Sequence, residues 1–109
     1  MNKYNIIFEI ETLRADIKRL INQIWKLIPM KENNEDWVSQ LNVVIEEISG
    51  LNEIFDELNL LILLSKLEGL KSDICQDFML YRKTVFRCID LLAKERDSIE
   101  QFKNDAQTF

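Results

Sequence analysis

The side chains with the most specific chemistry in this chain are its two cysteines, because the sequence contains no histidine. Without histidine, Ser-His-Asp and Cys-His catalysis, Glu-x-x-His di-iron sites and HExxH zinc sites are excluded. Cys75 and Cys88 are 13 residues apart on one predicted helix, which separates them by about 20 Å. Since a disulfide requires Cα atoms within about 7 Å, we expect two buried free thiols.

Carboxylates offer the one enzymatic interpretation of the sequence. Two acidic pairs, Glu32-x-x-Glu35 and Glu53-x-x-Asp56, resemble the paired acidic motifs with which all-α nucleotide pyrophosphohydrolases hold magnesium, and the resemblance covers four residues of 109. It implies a magnesium-dependent nucleotide pyrophosphohydrolase, which is our third hypothesis. Solvated charges at helix ends account for the same residues, so we expect no enzymatic activity, cofactor, metal site or small-molecule substrate.

A basic patch lies in the predicted third helix and consists of Arg82, Lys83 and Arg87. Such a patch predicts phosphate contacts, so our second hypothesis is a nucleic-acid-associated subunit of a ribonucleoprotein or defence complex. Acidic residues interleave with the patch, and the segment 71–105 carries seven charges of each sign. With a formal net charge of −5 the whole chain repels phosphate backbones and anionic lipids, so we expect neither nucleic-acid nor membrane binding.

Helices must position these residues, because two glycines and one proline are too few for the turns of an all-β fold. Apolar residues recur at alternating spacings of three and four along most of the chain. The pattern predicts an all-α fold of three long helices, at about 4–28, 35–66 and 71–104. Short connections make neighbouring helices antiparallel, so we expect an elongated up-down-up bundle that forms one domain over residues 1–109.

Glycine and proline set the expected helix ends. Pro29 should end the first helix, and Gly69 lies where the apolar pattern slips before the third. Gly50 could also end a helix, which would give four helices. The apolar alternation crosses Gly50 without a slip, and this favours one continuous helix that tolerates the glycine at a cost of about 1 kcal/mol. In that continuous helix Leu58 and Ile62 belong to the core stripe.

A second apolar stripe on the same helix is the most informative feature for function. In a continuous helix it points away from the core stripe and consists of Leu60, Leu63, Leu64 and Leu67. Three helices cannot bury both stripes, so we expect a partner protein or a second copy to cover this one. Folding of the connection or of residues 106–109 over it is the intramolecular alternative. Large side chains off the core stripes extend the expected interface: Trp25, Phe8, Met79 and Phe86.

An acidic face precedes this stripe, at Glu46, Glu53, Asp56 and Glu57. Between residues 35 and 58 there are seven acidic residues and no basic residue, which predicts a face that aids solubility or meets a basic partner. Our first hypothesis is therefore a non-enzymatic helical protein–protein interaction module, binding a partner or itself. Adaptors, inhibitors of the immunity type and small structural subunits of complexes are proteins of this kind.

The cytoplasm is the expected compartment. The N-terminal sequence carries Glu9 and Glu11 within its apolar part and lacks the uninterrupted apolar core of a signal peptide. The longest apolar run, residues 60–64, has five residues, far fewer than the roughly 18 of a membrane-spanning helix. We therefore expect a soluble protein.

Overall fold

Helices account for nearly all of the computed structural model, which describes the backbone of residues 3–55 and 58–107 and the side chains of residues 11–54, 58–72 and 75–101. The elements are α1 (Lys3–Trp25), α2 (Leu27–Glu32), α3 (Trp37–Phe55), α4 (Leu58–Gly69), a 3-10 turn (Asp73–Gln76) and α5 (Phe78–Gln107). No strand occurs in the described backbone ranges, and the predicted all-α fold is confirmed.

Helix α1 is antiparallel to both α3 and α5. The short connection from Glu32 to Trp37 leaves no other direction for α3. Arg14 of α1 forms an ion pair with Glu100 of α5. Eleven residues further along α1, the ring of Trp25 lies 5.1 Å from the ring of Phe86, which precedes Glu100 in α5. Residue numbers therefore rise along α1 as they fall along α5.

Helix α4 folds back along α3 instead of continuing it. With 19 residues in α3 and 12 in α4, a straight continuation would carry the end of α4 about 45 Å from the start of α3. Yet α5 begins beside the start of α3, because the rings of Trp37 and Tyr81 are 5.1 Å apart. The residues 70–77 could span at most about 28 Å, so α4 must reverse, and it packs against α3 and α5. The result is an antiparallel four-helix bundle in which α2 extends α1.

The prediction of one continuous second helix over 35–66 is wrong. Helix α3 is described to Phe55 and the reversed helix α4 from Leu58, whereas Gly50 lies inside α3. A reversal at this point buries the second apolar stripe within the same chain, while a continuous helix would leave that stripe in water. Helix α4 then ends at Gly69, where the sequence predicted a break.

Pro29 interrupts the first helix without ending it. Since proline has no N–H group, it cannot donate to the carbonyl of Trp25, and the helix is interrupted at Lys26 before continuing as α2. The following connection ends at Asp36, whose carboxylate caps α3. Its Oδ1 atom accepts a hydrogen bond from the backbone N–H of Ser39 at 3.2 Å.

The third predicted helix begins later than expected, because the residues before Phe78 form the 3-10 turn. Asp77 has extended backbone angles, and its Oδ1 accepts a hydrogen bond from the backbone N–H of Met79 at 2.8 Å. Cys75 therefore lies off α5 and folds back against it, with its Sγ 3.8 Å from the Thr84 Oγ1. The expectation that both cysteines share one helix is wrong, while their prediction as buried free thiols is confirmed.

The core runs along the axis of the bundle, which measures 50 × 21 × 20 Å. Tyr81 is the largest of its fully buried side chains, and Glu95 is the one charged side chain that is buried among the described residues. Aliphatic residues from all four long helices fill the rest, among them Ile17, Leu20, Ile24, Leu41, Val44, Ile48, Leu63, Leu67, Val85 and Leu92.

Candidate interaction surfaces

The leucine stripe that we expected to face a partner lies inside the bundle. Leu60, Leu63 and Leu67 are 4%, 1% and 0% exposed, and Leu64 packs partly buried against the same core. The prediction that these side chains point outward is wrong. Its physical cause is the reversal of α4 against α3, because α4 then turns a different side to the core than a continuous helix would.

The outward face of α4 is also apolar. Leu58, Leu61 and Ile62 are 69%, 49% and 37% exposed, although the continuous helix placed Leu58 and Ile62 in the core. Helix α4 is therefore apolar on both its buried and its exposed sides. A helix of that composition is normally covered on all sides. Sequence reasoning missed Leu61, and the signal for it was the uninterrupted apolar run 60–64.

One flank of α4 faces α5. Burial raises the pKa of the Cys88 thiol to about 12, and the charge of Lys66 opposes this shift. Helix α4 packs against α5 as well as against α3.

Exposed acidic residues also lie on α3, the helix that packs against α4. Arg19 of α1 contacts Glu47 at 2.7 Å, whereas Glu46 and Glu53 lie roughly 100–120° from Glu47 around α3, on its exposed side. Both glutamates are exposed and form no ion pair within the described residues. We name this surface the α3–α4 face and define it by Glu46, Glu53, Leu58, Leu61 and Ile62. Asp56 and Glu57 of the predicted acidic face lie outside the described residues.

On the opposite side of the bundle, α5 and the α1–α2 junction enclose a groove of about 380 Å³. The Trp25 and Phe86 rings meet edge to face at 5.1 Å, and the Arg82 guanidinium lies 5.5 Å from the centre of the Phe86 ring. We name this site the aromatic groove; its lining residues are Trp25, Ile28, Pro29, Glu32, Phe78, Arg82 and Phe86. The i, i+4, i+8 spacing of Phe78, Arg82 and Phe86 is visible in the sequence, but the opposite wall depends on how α1 and α2 pack.

Of the predicted basic patch, Arg82 lines this groove, together with the acidic residue Glu32. Arg82, Lys83 and Arg87 are exposed, and none of them forms an ion pair within the part of the chain that the structure describes. Met79, another predicted interface residue, is exposed one turn before Arg82 on the same side of α5. The structure thus brings the predicted residues Trp25 and Phe86 together with Arg82 of the basic patch. The side chain of Phe8 lies outside the described residues.

The two acidic pairs of the magnesium hypothesis are not brought together. Glu32 and Glu35 lie near the start of α3 and Glu53 near its end, about 24 Å away along the helix axis. Asp56 lies outside the described residues. Among the described side chains, no group of three or more carboxylates and cysteines is arranged to hold a metal ion.

Comparisons with models of protein families, with curated proteins and with solved structures give no match for this chain. None of the described helices is both long and apolar enough to cross a membrane. Evidence on function therefore comes from the two surfaces themselves.

Proposed function

We propose that this chain is a non-enzymatic helical module that binds another protein through the α3–α4 face. The observation that supports this proposal is the exposed apolar side of α4, formed by Leu58, Leu61 and Ile62. A bundle that needed α4 only for its own core would require one apolar side. The second apolar side has no use within the described part of the chain.

The energetic argument follows from burial. Fully burying a leucine or isoleucine side chain contributes roughly 1.5–3 kcal/mol relative to exposure. A partner that covers the three side chains of α4 would therefore gain several kcal/mol in hydrophobic free energy. Neighbouring apolar residues left in water also favour aggregation, which a partner would prevent.

The charge of the surroundings indicates what kind of protein would bind. Glu46 and Glu53 are exposed on α3, which packs against α4, and form no ion pair in the described residues, and the segment 35–58 has no basic residue. Opposite charges at the rim of an interface accelerate association and select partners. The partner surface that fits best is apolar at its centre and basic at its rim.

A peptide titration tests this proposal. The probe is an amphipathic helical peptide with leucines on one face and lysines on the other, added to dilute protein and followed by NMR. We expect chemical-shift changes on the exposed side of α4 and the adjoining flank of α3. The same peptide with glutamates in place of lysines should bind much more weakly, because it would be repelled by Glu46 and Glu53.

The variant Leu58→Glu with Leu61→Glu provides the decisive comparison. Both side chains are exposed, so the fold should persist and the binding should disappear. Leu80→Glu is the matched control, since Leu80 is also an exposed leucine but lies on α5. Equal binding of both peptides, or unchanged binding by the double variant, would contradict the proposal.

A further inference from the structure

The aromatic groove contains two opposite charges that do not pair. Glu32 lines the groove from α2, and Arg82 lines it from α5. Neither side chain forms an ion pair, with the other or with any residue that the structure describes. The groove therefore offers one carboxylate and one guanidinium to a ligand, and the two formal charges of its lining cancel.

The Arg82 side chain is restrained by an aromatic ring. Its Cζ atom lies over the Phe86 ring, 5.5 Å from the ring centre. Cation–π attraction favours this position of the guanidinium. A guanidinium has five N–H donors and binds a carboxylate through two parallel hydrogen bonds. Arg82 is thus a suitable partner for a carboxylate that enters the groove.

The rest of the lining is apolar and consists of Trp25, Ile28, Pro29, Phe78 and Phe86. Trp25 is 44% exposed, so the chain itself leaves much of this indole uncovered. Aromatic walls of this kind favour contact with an apolar or aromatic group. Ligand sites commonly have volumes of roughly 300–1,000 Å³. At about 380 Å³ the groove is near the lower end of that range and suits a small ligand.

We propose that the aromatic groove binds a free amino acid with a large apolar side chain. The ligand carboxylate pairs with Arg82, its ammonium group pairs with Glu32, and its side chain lies against the aromatic lining. A ligand with only a negative charge would be repelled by Glu32, and a ligand with only a positive charge would be repelled by Arg82. A dipolar ligand satisfies both residues.

This chemistry distinguishes a free amino acid from the end of a protein chain. The C-terminal residue of a protein has a carboxylate and a side chain but no ammonium group, so it would leave Glu32 without a partner. The ligand is bound and not converted, which is consistent with a non-enzymatic module. The groove shares no residue with the α3–α4 face, so this inference is independent of the proposed function.

An NMR titration of the isotope-labelled full chain with L-phenylalanine tests the inference. The chain has two tryptophans, of which Trp25 lines the groove and Trp37 does not. The indole N–H signal of Trp25 should therefore shift more than that of Trp37, and the variant Trp25→Phe assigns the two signals. For a small ligand in an open groove we expect a dissociation constant of about 1 mM or lower.

Three analogues each lack one part of the ligand. Phenylalanine amide lacks the carboxylate, N-acetylphenylalanine lacks the ammonium group and resembles a peptide C-terminus, and glycine lacks the apolar side chain. The first two should bind roughly five- to tenfold more weakly than phenylalanine, because each loses one charge-assisted contact. Glycine should cause no shift, because it makes no contact with the aromatic lining.

Two variants assign the charged contacts. In Arg82→Gln the carboxylate loses its partner, so phenylalanine should bind no better than its amide. In Glu32→Gln the ammonium group loses its partner, so phenylalanine and N-acetylphenylalanine should bind equally. The matched controls Lys83→Gln and Glu35→Gln make the same charge changes outside the groove lining and should bind phenylalanine like the wild type. All four residues are exposed, so circular dichroism should show an intact fold.

Three outcomes would overturn this inference. The first is an unchanged Trp25 signal at a phenylalanine concentration ten times the expected dissociation constant. The second is binding of N-acetylphenylalanine as tight as that of phenylalanine, which would identify a peptide C-terminus as the ligand. The third is an equal loss of binding in the groove variants and their controls, which would assign the effect to net charge. Binding of the leucine–lysine peptide to the α3–α4 face is unaffected by any of them.

Discussion

The Tyr81 hydroxyl of α5 donates a hydrogen bond of 3.2 Å to the backbone carbonyl oxygen of Leu27, at the start of α2. Both residues are fully buried, so this bond provides the partner that a buried hydroxyl requires. The Nζ atom of Lys31 lies 4.7 Å from the centre of the Tyr81 ring and 4.6 Å from that of Trp37. One tyrosine thus joins α5 to α2 and to the start of α3, next to the aromatic groove.

Replacing Tyr81 with phenylalanine tests this junction. The ring stays buried, but the carbonyl of Leu27 loses the hydroxyl, so the free energy of unfolding should fall by about 0.5–1.5 kcal/mol. Urea denaturation followed by circular dichroism measures the change. A variant as stable as the wild type would show that the hydroxyl contributes nothing beyond burial of the ring.

A second prediction concerns alkaline pH. Burial raises the pKa of the Cys88 thiol to about 12 from an ordinary value of 9.0. Between pH 9.0 and about 12 the thiol therefore stays protonated in the folded protein but ionises in the unfolded chain. Its contribution to stability should be complete below pH 9.0 and should be lost as the pH rises from 9.0 towards about 12.

The urea concentration at the midpoint of unfolding, measured from pH 9.0 to about 12, shows the effect. Cys88→Ala should reduce the decline in stability above pH 9.0. Some decline should remain, because burial also raises the pKa of Tyr81 above its ordinary value of 10.0. An identical pH dependence in the variant and the wild type would contradict the assignment to Cys88.

The sequence predicts the helical class and most of the core because α1, α3 and α5 each have one apolar side. Ile17 and Leu20 of α1 and Val44 and Ile48 of α3 are buried as their spacing indicates. Helix α4 differs, because its residues 60–64 are all apolar and no side of it is distinguished by sequence alone. The sequence indicates an orientation for α4 only if α4 continues the helical phase of α3, and the reversal of α4 removes that continuity.

The aromatic groove shows a similar limit. Trp25 and Phe86 stand out in the sequence because they lie off the core stripes of their helices. That they meet at 5.1 Å depends on the antiparallel packing of α1 and α5. Pro29 completes the wall only because the chain remains helical through it. Local periodicity therefore predicted candidate residues, and their combination required the tertiary structure.

The third prediction uses Gly50, which lies inside α3. It is exposed, its φ is not positive, and a Cβ atom placed there would meet no other atom within 4 Å. Gly50→Ala should therefore stabilise the protein by up to about 1 kcal/mol, since alanine has the higher helix propensity. Thermal denaturation measures the change, and a lower melting temperature in the variant would indicate that the helix ends at this glycine.

The last prediction compares two leucines of α4 that the continuous helix and the observed bundle place on opposite sides. Leu63 is 1% exposed and Leu58 is 69% exposed. Leu63→Ala removes buried methyl groups and leaves a cavity, so unfolding free energy should fall by about 2–5 kcal/mol. Leu58→Ala removes the same atoms from a surface position and should change the free energy of unfolding by less than about 0.5 kcal/mol.

Urea denaturation of both variants is the measurement. Since neither substitution changes the net charge, each variant is the control for the other. If α3 continued without a break, Leu58 would lie in the core and Leu63 in water, and the larger loss would belong to Leu58→Ala.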